Sequence, residues 1–155
     1  MMPTTAANVL TPCVLLVDDD PQALAALGRV FRDEPYQVLR TNDPWQALEW
    51  LKSKTVHLLV TDEFMPGLLG TDLLEAVRFL SPATATILLT GYPKPAVAYR
   101  GFQQRMDLLM PKPWEDEPLR DAALRLLRQR APRTVFKRAT PSADAKPPCE
   151  ESRAN

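Results

Sequence analysis

The chain has 155 residues, of which 45% are hydrophobic and 25% charged. That length suits one domain with an appendage and leaves no room for a second catalytic or DNA-binding domain. The 19 basic and 19 acidic residues cancel, which removes any whole-chain electrostatic case for nucleic acid. The longest apolar runs fall well short of the roughly 20 residues a membrane helix needs. The first residues, MMPTTAANVLTP, carry no basic segment followed by an apolar core, so no secretory signal is expected. A cytoplasmic protein is expected. Cys13 and Cys149 lie far apart with no metal-ligand spacing, and two free thiols in a reducing compartment are expected.

Residues 1–10 read as a flexible N-terminus, 11–130 as the folded domain and 131–155 as a Pro-rich, disordered tail. The tail holds one large aromatic, Phe136, and few aliphatics, too little to offset its ordering entropy. Inside the domain, short apolar runs alternate with helical patterns. Cys13–Val17 (CVLLV) reads as a buried strand. Pro21 suits a first helical position, and Leu24, Leu27 and Phe31 follow at helical spacing. Tyr36–Thr41 is a second strand. Asp43 is a good cap for a helix from Pro44, with Ala47, Leu48 and Leu51 inward. His57–Thr61 is a third strand and Thr71–Leu80 a helix. Ala85–Thr90 is a fourth strand, followed by a helix from Pro95 to about Gln104. Asp107–Met110 is a short fifth strand, and Glu115–Arg130 a final helix with Leu119, Ala122, Ala123, Leu126 and Leu127 as its seam.

Five strand–helix repeats with strands apolar on both faces imply a parallel α/β sheet covered on both sides. Ligands of such sheets bind at the carboxyl ends of the strands. Asp18, Asp19 and Asp20 follow the first strand, and Asp62 and Glu63 the third. Thr90 ends the fourth, and Lys112 follows the fifth. An Asp-rich run before proline is by itself most simply a helix cap, and a single Asp, Lys or Lys-Pro-Trp is unremarkable. Complementary groups on four strand ends in one register decide otherwise. Crowded carboxylates with no His or Cys beside them call for a hard cation, and Mg²⁺ suits one or two carboxylates plus phosphate oxygens. Lys112 adds positive charge, Thr90 a hydroxyl donor, and a carboxylate nucleophile in this setting becomes an acyl phosphate. His57 reads as structural, and Trp45 and Trp50 as helix-face packing.

The stretches VLLVDDDP (Val14–Pro21), LLVTDEFMPGLLG (Leu58–Gly70), ILLTG (Ile87–Gly91) and LMPKPW (Leu109–Trp114) resemble the CheY-like receiver domains of two-component response regulators. The resemblance implies a flavodoxin-like (βα)5 fold with strand order 2-1-3-4-5. It implies Asp62 as phosphoacceptor, with Mg²⁺ held by Asp18, Asp19, Asp62 and the Phe64 backbone carbonyl. Thr90 matches the switch hydroxyl and Lys112 the lysine paired with the acceptor. Met65-Pro66-Gly67 and Gly70 match the loop that shapes the acceptor's surroundings. It also implies a protein that is no enzyme in its own right, but a phosphoacceptor assisting its own phosphorylation and dephosphorylation. The donor would be a sensor histidine kinase or histidine phosphotransfer protein. Output to an unidentified downstream protein, or a homodimer, would use the helix 4–strand 5–helix 5 surface, with no nucleic acid or membrane partner.

The sequence departs from the pattern at Leu109, where many receivers carry Phe or Tyr, and at Pro111. These departures motivate an alternative, a receiver-like interaction module that works without phosphorylation. Phe64 and Tyr92 occupy positions that influence the attacking water in receivers, and their bulk predicts slow hydrolysis of the acyl phosphate. The Thr-Gly-Tyr and Lys-Pro-Trp signatures look like those of receivers attached to cyclic-dinucleotide phosphodiesterases and enhancer-binding regulators. No such output domain fits in this length, so a stand-alone switch is expected.

Overall fold

The computed structural model describes residues 11–91 and 95–130. The expected flexible N-terminus, the Pro-rich tail and the residue Tyr92 lie outside the described residues. The strands are β1 (Cys13–Val17), β2 (Gln37–Thr41), β3 (Leu58–Asp62), β4 (Ala85–Thr90) and β5 (Leu108–Pro111). The helices are α1 (Pro21–Phe31), α2 (Pro44–Ser53), α3 (Gly70–Leu80), α4 (Pro95–Gln103) and α5 (Asp116–Arg130). All pairings are parallel, in the order β2-β1-β3-β4-β5 expected from the sequence.

Every residue of β1, β3 and β4 is buried, which is why these strands are predominantly apolar, with only Thr61, Asp62, Thr86 and Thr90 as exceptions. The period-2 alternation sends successive residues to opposite faces and divides the core into two layers. Leu15, Val17, Leu39, Leu59 and Leu88 meet α2, α3 and α4 through Ala47, Leu51, Leu73, Leu74, Val77 and Val97. Val14, Leu16, Leu58, Val60 and Leu89 meet α1 and α5 through Leu27, Val30, Phe31, Leu119 and Leu127. Each fully buried leucine stabilises the fold by roughly 1.5–3 kcal/mol relative to exposure.

The starts of α1 and α2 follow from local chemistry. Asp20 and Asp43 accept the backbone N–H groups of Gln22 and Trp45, each at 2.9 Å, and Pro21 and Pro44 occupy the first helical turn. His57 is structural, as expected: its Nδ1 accepts the Cys13 N–H at 2.9 Å. At the amino rim of the sheet, Asp107 accepts the Thr86 N–H at 2.9 Å and pairs with Arg130 at 2.6 Å, pinning the end of α5 to β4.

Three expectations need correction. Cys13 is disulfide-bonded, not a free thiol, because separation along a chain does not exclude a sulfur–sulfur bond. Trp50 does pack against the core, but Trp45 is 55% exposed, because it sits at the open first turn of α2. The ladder of β3 extends through Asp62, so that residue is the last of its strand and not the first beyond it. Among the described residues no helix is long and apolar enough to cross a membrane.

Candidate functional site

The parallel register brings four strand ends to one rim. Asp18 directly follows β1, Asp62 closes β3, Thr90 closes β4 and Lys112 directly follows β5. Asp62 pairs with Leu89, so Thr90 stands one step further along the neighbouring strand, and the Lys112 N–H donates to the Thr90 carbonyl at 2.8 Å. The ordering of β5 against β4 therefore sets where the lysine leaves the sheet.

The aspartate triplet divides into separate tasks. Asp20 caps α1. Asp18 is fully buried and accepts the Asp20 N–H at 3.0 Å through one oxygen. Its other oxygen takes the Lys112 ammonium at 2.6 Å. Asp19 is exposed, yet it offers an oxygen to a common point with Asp18 and Asp62, the three ligand atoms lying within 4.8 Å of one another. Lys112 Nζ also reaches Asp62 at 3.3 Å, so one ammonium bridges two carboxylates.

Burial raises the Asp62 carboxyl above its ordinary value; the Lys112 charge opposes the shift and the Asp18 charge adds to it. Burial works against the Lys112 ammonium as well, but its hydrogen bond to Asp18 and the charges of both carboxylates outweigh that, and the net shift is upward. The lysine is thus held charged at the centre of an acidic cluster that a single ammonium does not neutralise. Carboxylate oxygens alone, with no thiolate or imidazole beside them, are the donor set of a hard divalent cation. Asp18, Asp19 and Asp62 fit Mg²⁺ on that ground.

Of the residues singled out in the sequence, Asp18, Asp19, Asp62 and Lys112 are brought together by recorded distances. Thr90 is buried at the same rim. Phe64 lies two residues past Asp62 and is 47% exposed. Leu109 is partly buried and packs against the core layer that holds α2, α3 and α4. Sequence reasoning gave Glu63 no role. Its side chain is fully buried and turns to α3, where it accepts both the N–H and the hydroxyl of Thr71, at 3.2 and 2.9 Å. The available signal was a carboxylate within a buried segment, eight positions before a threonine in the first turn of a helix.

Comparison with known proteins agrees with this geometry. Residues 14–124 match the family of response regulator receiver domains. The chain is 31% identical over 121 residues to the transcriptional regulatory protein GlrR of Escherichia coli K12, covering 78% of this chain and 27% of that one. It is 33% identical over 106 residues to the transcriptional regulatory protein CpxR of the same organism, covering 68% and 45%. The chain thus spans under half the length of these relatives. Among solved structures, the signal receiver domain of an HD domain-containing protein from Pseudomonas fluorescens Pf-5 superposes with a TM-score of 0.74 at 30% identity, covering 77% of this chain and 97% of that one. A CheY-like receiver domain protein from Methanospirillum hungatei shares the fold with a TM-score of 0.75 at 24% identity, covering 77% and 96%. With four strand ends carrying the matching residue types and the match extending over most of the folded part, the chain belongs to the family of response regulator receiver domains.

Proposed function

We propose that this domain is a Mg²⁺-dependent phosphorylation switch in which Asp62 accepts a phosphoryl group from a phosphohistidine donor, a sensor histidine kinase or a phosphotransfer protein. The single observation that carries the proposal is the bridge of Lys112 between Asp18 and Asp62, at 2.6 and 3.3 Å, inside a cluster of three carboxylates. In the transfer, an Asp62 carboxylate oxygen forms the new O–P bond as the P–N bond to the donor histidine breaks, leaving an acyl phosphate and a free imidazole. Asp18, Asp19, Asp62 and the Phe64 carbonyl would hold the cation, which when bound supplies positive charge to the carboxylates and the incoming phosphoryl oxygens. Lys112 neutralises the same charge from the β5 side. Thr90 donates its hydroxyl to a phosphoryl oxygen.

Phosphorylation adds negative charge and strong acceptor oxygens where Lys112 already stands, and so biases a two-state surface. That surface is α4, β5 and α5, used for a downstream protein or for a second copy of the chain. We place the protein in the cytoplasm, where such donors act, and assign this domain a switching role. In this reading it is a phosphoacceptor and no enzyme in its own right. The alternative, an interaction module independent of phosphorylation, draws on Leu109, an aliphatic side chain packed against the core where an inward-rotating aromatic would be expected.

Incubation with a small phosphodonor and Mg²⁺, followed by Phos-tag electrophoresis, separates the two. A shifted band in the wild type that is lost in Asp62→Ala supports the switch. No shift in the wild type, or one that persists in Asp62→Ala, refutes it. Pull-downs with phosphorylated protein against Asp62→Asn then identify the output partner.

A further inference from the structure

The loop between β3 and α3 closes through one residue. Glu63 donates its backbone N–H to the Leu89 carbonyl of β4 at 3.1 Å, and its own carbonyl accepts the Gly70 N–H at 2.9 Å. Its side chain enters the protein interior and accepts the Thr71 N–H and hydroxyl through one oxygen. Glu63 therefore ties the ends of β3 and β4 to the first two residues of α3, and residues 64–69 form a loop whose neck it closes. The neck is tight on its other side too. Gly70 lies so close to the Asp62 carbonyl that an added methyl group would overlap it. Phe64, the first residue past the neck, carries the carbonyl assigned to the cation.

A fully buried carboxylate is costly to place. This one is only half satisfied: Glu63 Oε2 is buried with no hydrogen-bond partner among the described residues. Leucine or valine would fill the position without that cost, so packing alone does not account for the residue. What the carboxylate supplies is an acceptor at the amino end of α3, where backbone N–H groups and the helix dipole favour negative charge.

We infer that Glu63 is a positioning residue: by clasping the first turn of α3 it fixes the 64–69 loop, and with it the Phe64 carbonyl, relative to the carboxylates of Asp18, Asp19 and Asp62. The inference rests on the metal-dependent reading above and extends it to a residue that does not itself touch the cation.

The test compares Glu63→Leu, Glu63→Gln and Thr71→Val with a control of matched stability loss in the other core layer, Val30→Ala. Mg²⁺ affinity is measured by calorimetric titration, and backbone amide shifts and exchange are measured in the metal-free proteins. Glu63→Leu should weaken Mg²⁺ binding about tenfold and shift or expose the amides of 64–71. Glu63→Gln keeps an acceptor oxygen and should lose less than about threefold. Thr71→Val, which retains the N–H, should fall between them, and Val30→Ala should bind like the wild type. Should Glu63→Leu prove too unstable to titrate, Glu63→Gln and Thr71→Val decide by their order. Wild-type affinity in the Glu63 and Thr71 variants, or an equal loss in Val30→Ala, overturns the inference and leaves the metal reading intact. Wild-type protein whose Mg²⁺ binding is absent, or survives Asp18→Ala, overturns both.

Discussion

Gly28 and Gly70 both sit in helices, and the same substitution should move them in opposite directions. Gly28 lies inside α1, where alanine gains about 0.8–1.0 kcal/mol of helix propensity over glycine. Its new methyl would meet Arg40 Nη1 at 2.6 Å, the far end of an exposed, flexible side chain on β2 that can swing away. Gly28→Ala should therefore stabilise the domain by about 0.5 kcal/mol. Gly70 opens α3, where the propensity gain is small. Its methyl would meet the Asp62 carbonyl oxygen, the Asp62 carbonyl carbon at 2.9 Å and Leu88 Cδ1 at 2.8 Å. None of these atoms has anywhere to go, since β3 is paired on both sides and Leu88 is fully buried. Overpacking of this kind costs about 1–3 kcal/mol. With a urea slope of about 2 kcal/mol/M, Gly70→Ala should lower the unfolding midpoint by about 1 M, and Gly28→Ala should raise it by about 0.25 M. Because the displaced backbone is that of Asp62, Gly70→Ala should also slow phosphorylation by a small donor. Equal midpoints for the two variants, or a Gly70→Ala protein as stable and as reactive as the wild type, would refute the claim that α3 is seated directly on the end of β3.

Three further outcomes follow from the same geometry. Lys112→Met leaves the buried Asp18 carboxylate without its ammonium; since Lys112 is 21% exposed, the cost belongs at the low end for a broken buried pair, about 3 kcal/mol, and saturating Mg²⁺ should restore more stability to the variant than to the wild type in paired melting experiments. Burial holds His57 below its ordinary value, so the unfolded chain takes up a proton before the folded one as pH falls. Stability contributed by the neutral ring is complete above about pH 6.5 and declines below it; His57→Asn, which keeps an acceptor for the Cys13 N–H, should flatten that decline in urea titrations between pH 7 and 5, and an unchanged slope would count against it. Phe64→Asn should shorten the lifetime of the acyl phosphate, read from the decay of the Phos-tag band, because it replaces a bulky ring two residues past Asp62 with a side chain that can hydrogen-bond water.

The order of elements was legible because burial on both faces leaves an unmistakable imprint: Cys13–Val17, Leu58–Val60 and Ile87–Leu89 are apolar without interruption. The register that unites Asp18, Asp62, Thr90 and Lys112 was legible for the same reason, since each of them stands within two residues of the end of its apolar run. What the sequence concealed are the features that depend on distances across space. The triplet Asp18-Asp19-Asp20 shows three identical residues, and only the fold separates a buried partner for lysine, an exposed ligand and a helix cap. Glu63 looked like a second rim carboxylate, but alternation along the strand turns it inward to α3 while Asp62 faces the cluster. Trp45 and Trp50 share a helix, and which of them is covered depends on how α2 meets the sheet.

In the proposed switch, Lys112 is the point at which stability and signalling meet. In the unphosphorylated domain it stands closer to Asp18 than to Asp62, 2.6 against 3.3 Å. That asymmetry follows from burial: Asp18 has no access to water, whereas Asp62 retains some, so the ammonium does most good beside the carboxylate that solvent cannot help. In the proposed switch a phosphoryl group on Asp62 reverses the balance, presenting more charge and more acceptor oxygens on the β3 side. Movement of Lys112 toward Asp62 would then leave Asp18 dependent on the cation it shares with Asp19. Lys112 directly follows an edge strand, its backbone N–H held by Thr90, so in the proposed switch that movement would be passed to β5 and, through Leu108, Leu109 and Met110, to both core layers. On the proposed function, the charge that completes one carboxylate pair would be withdrawn from another, and the strand that carries it lies on the proposed output face.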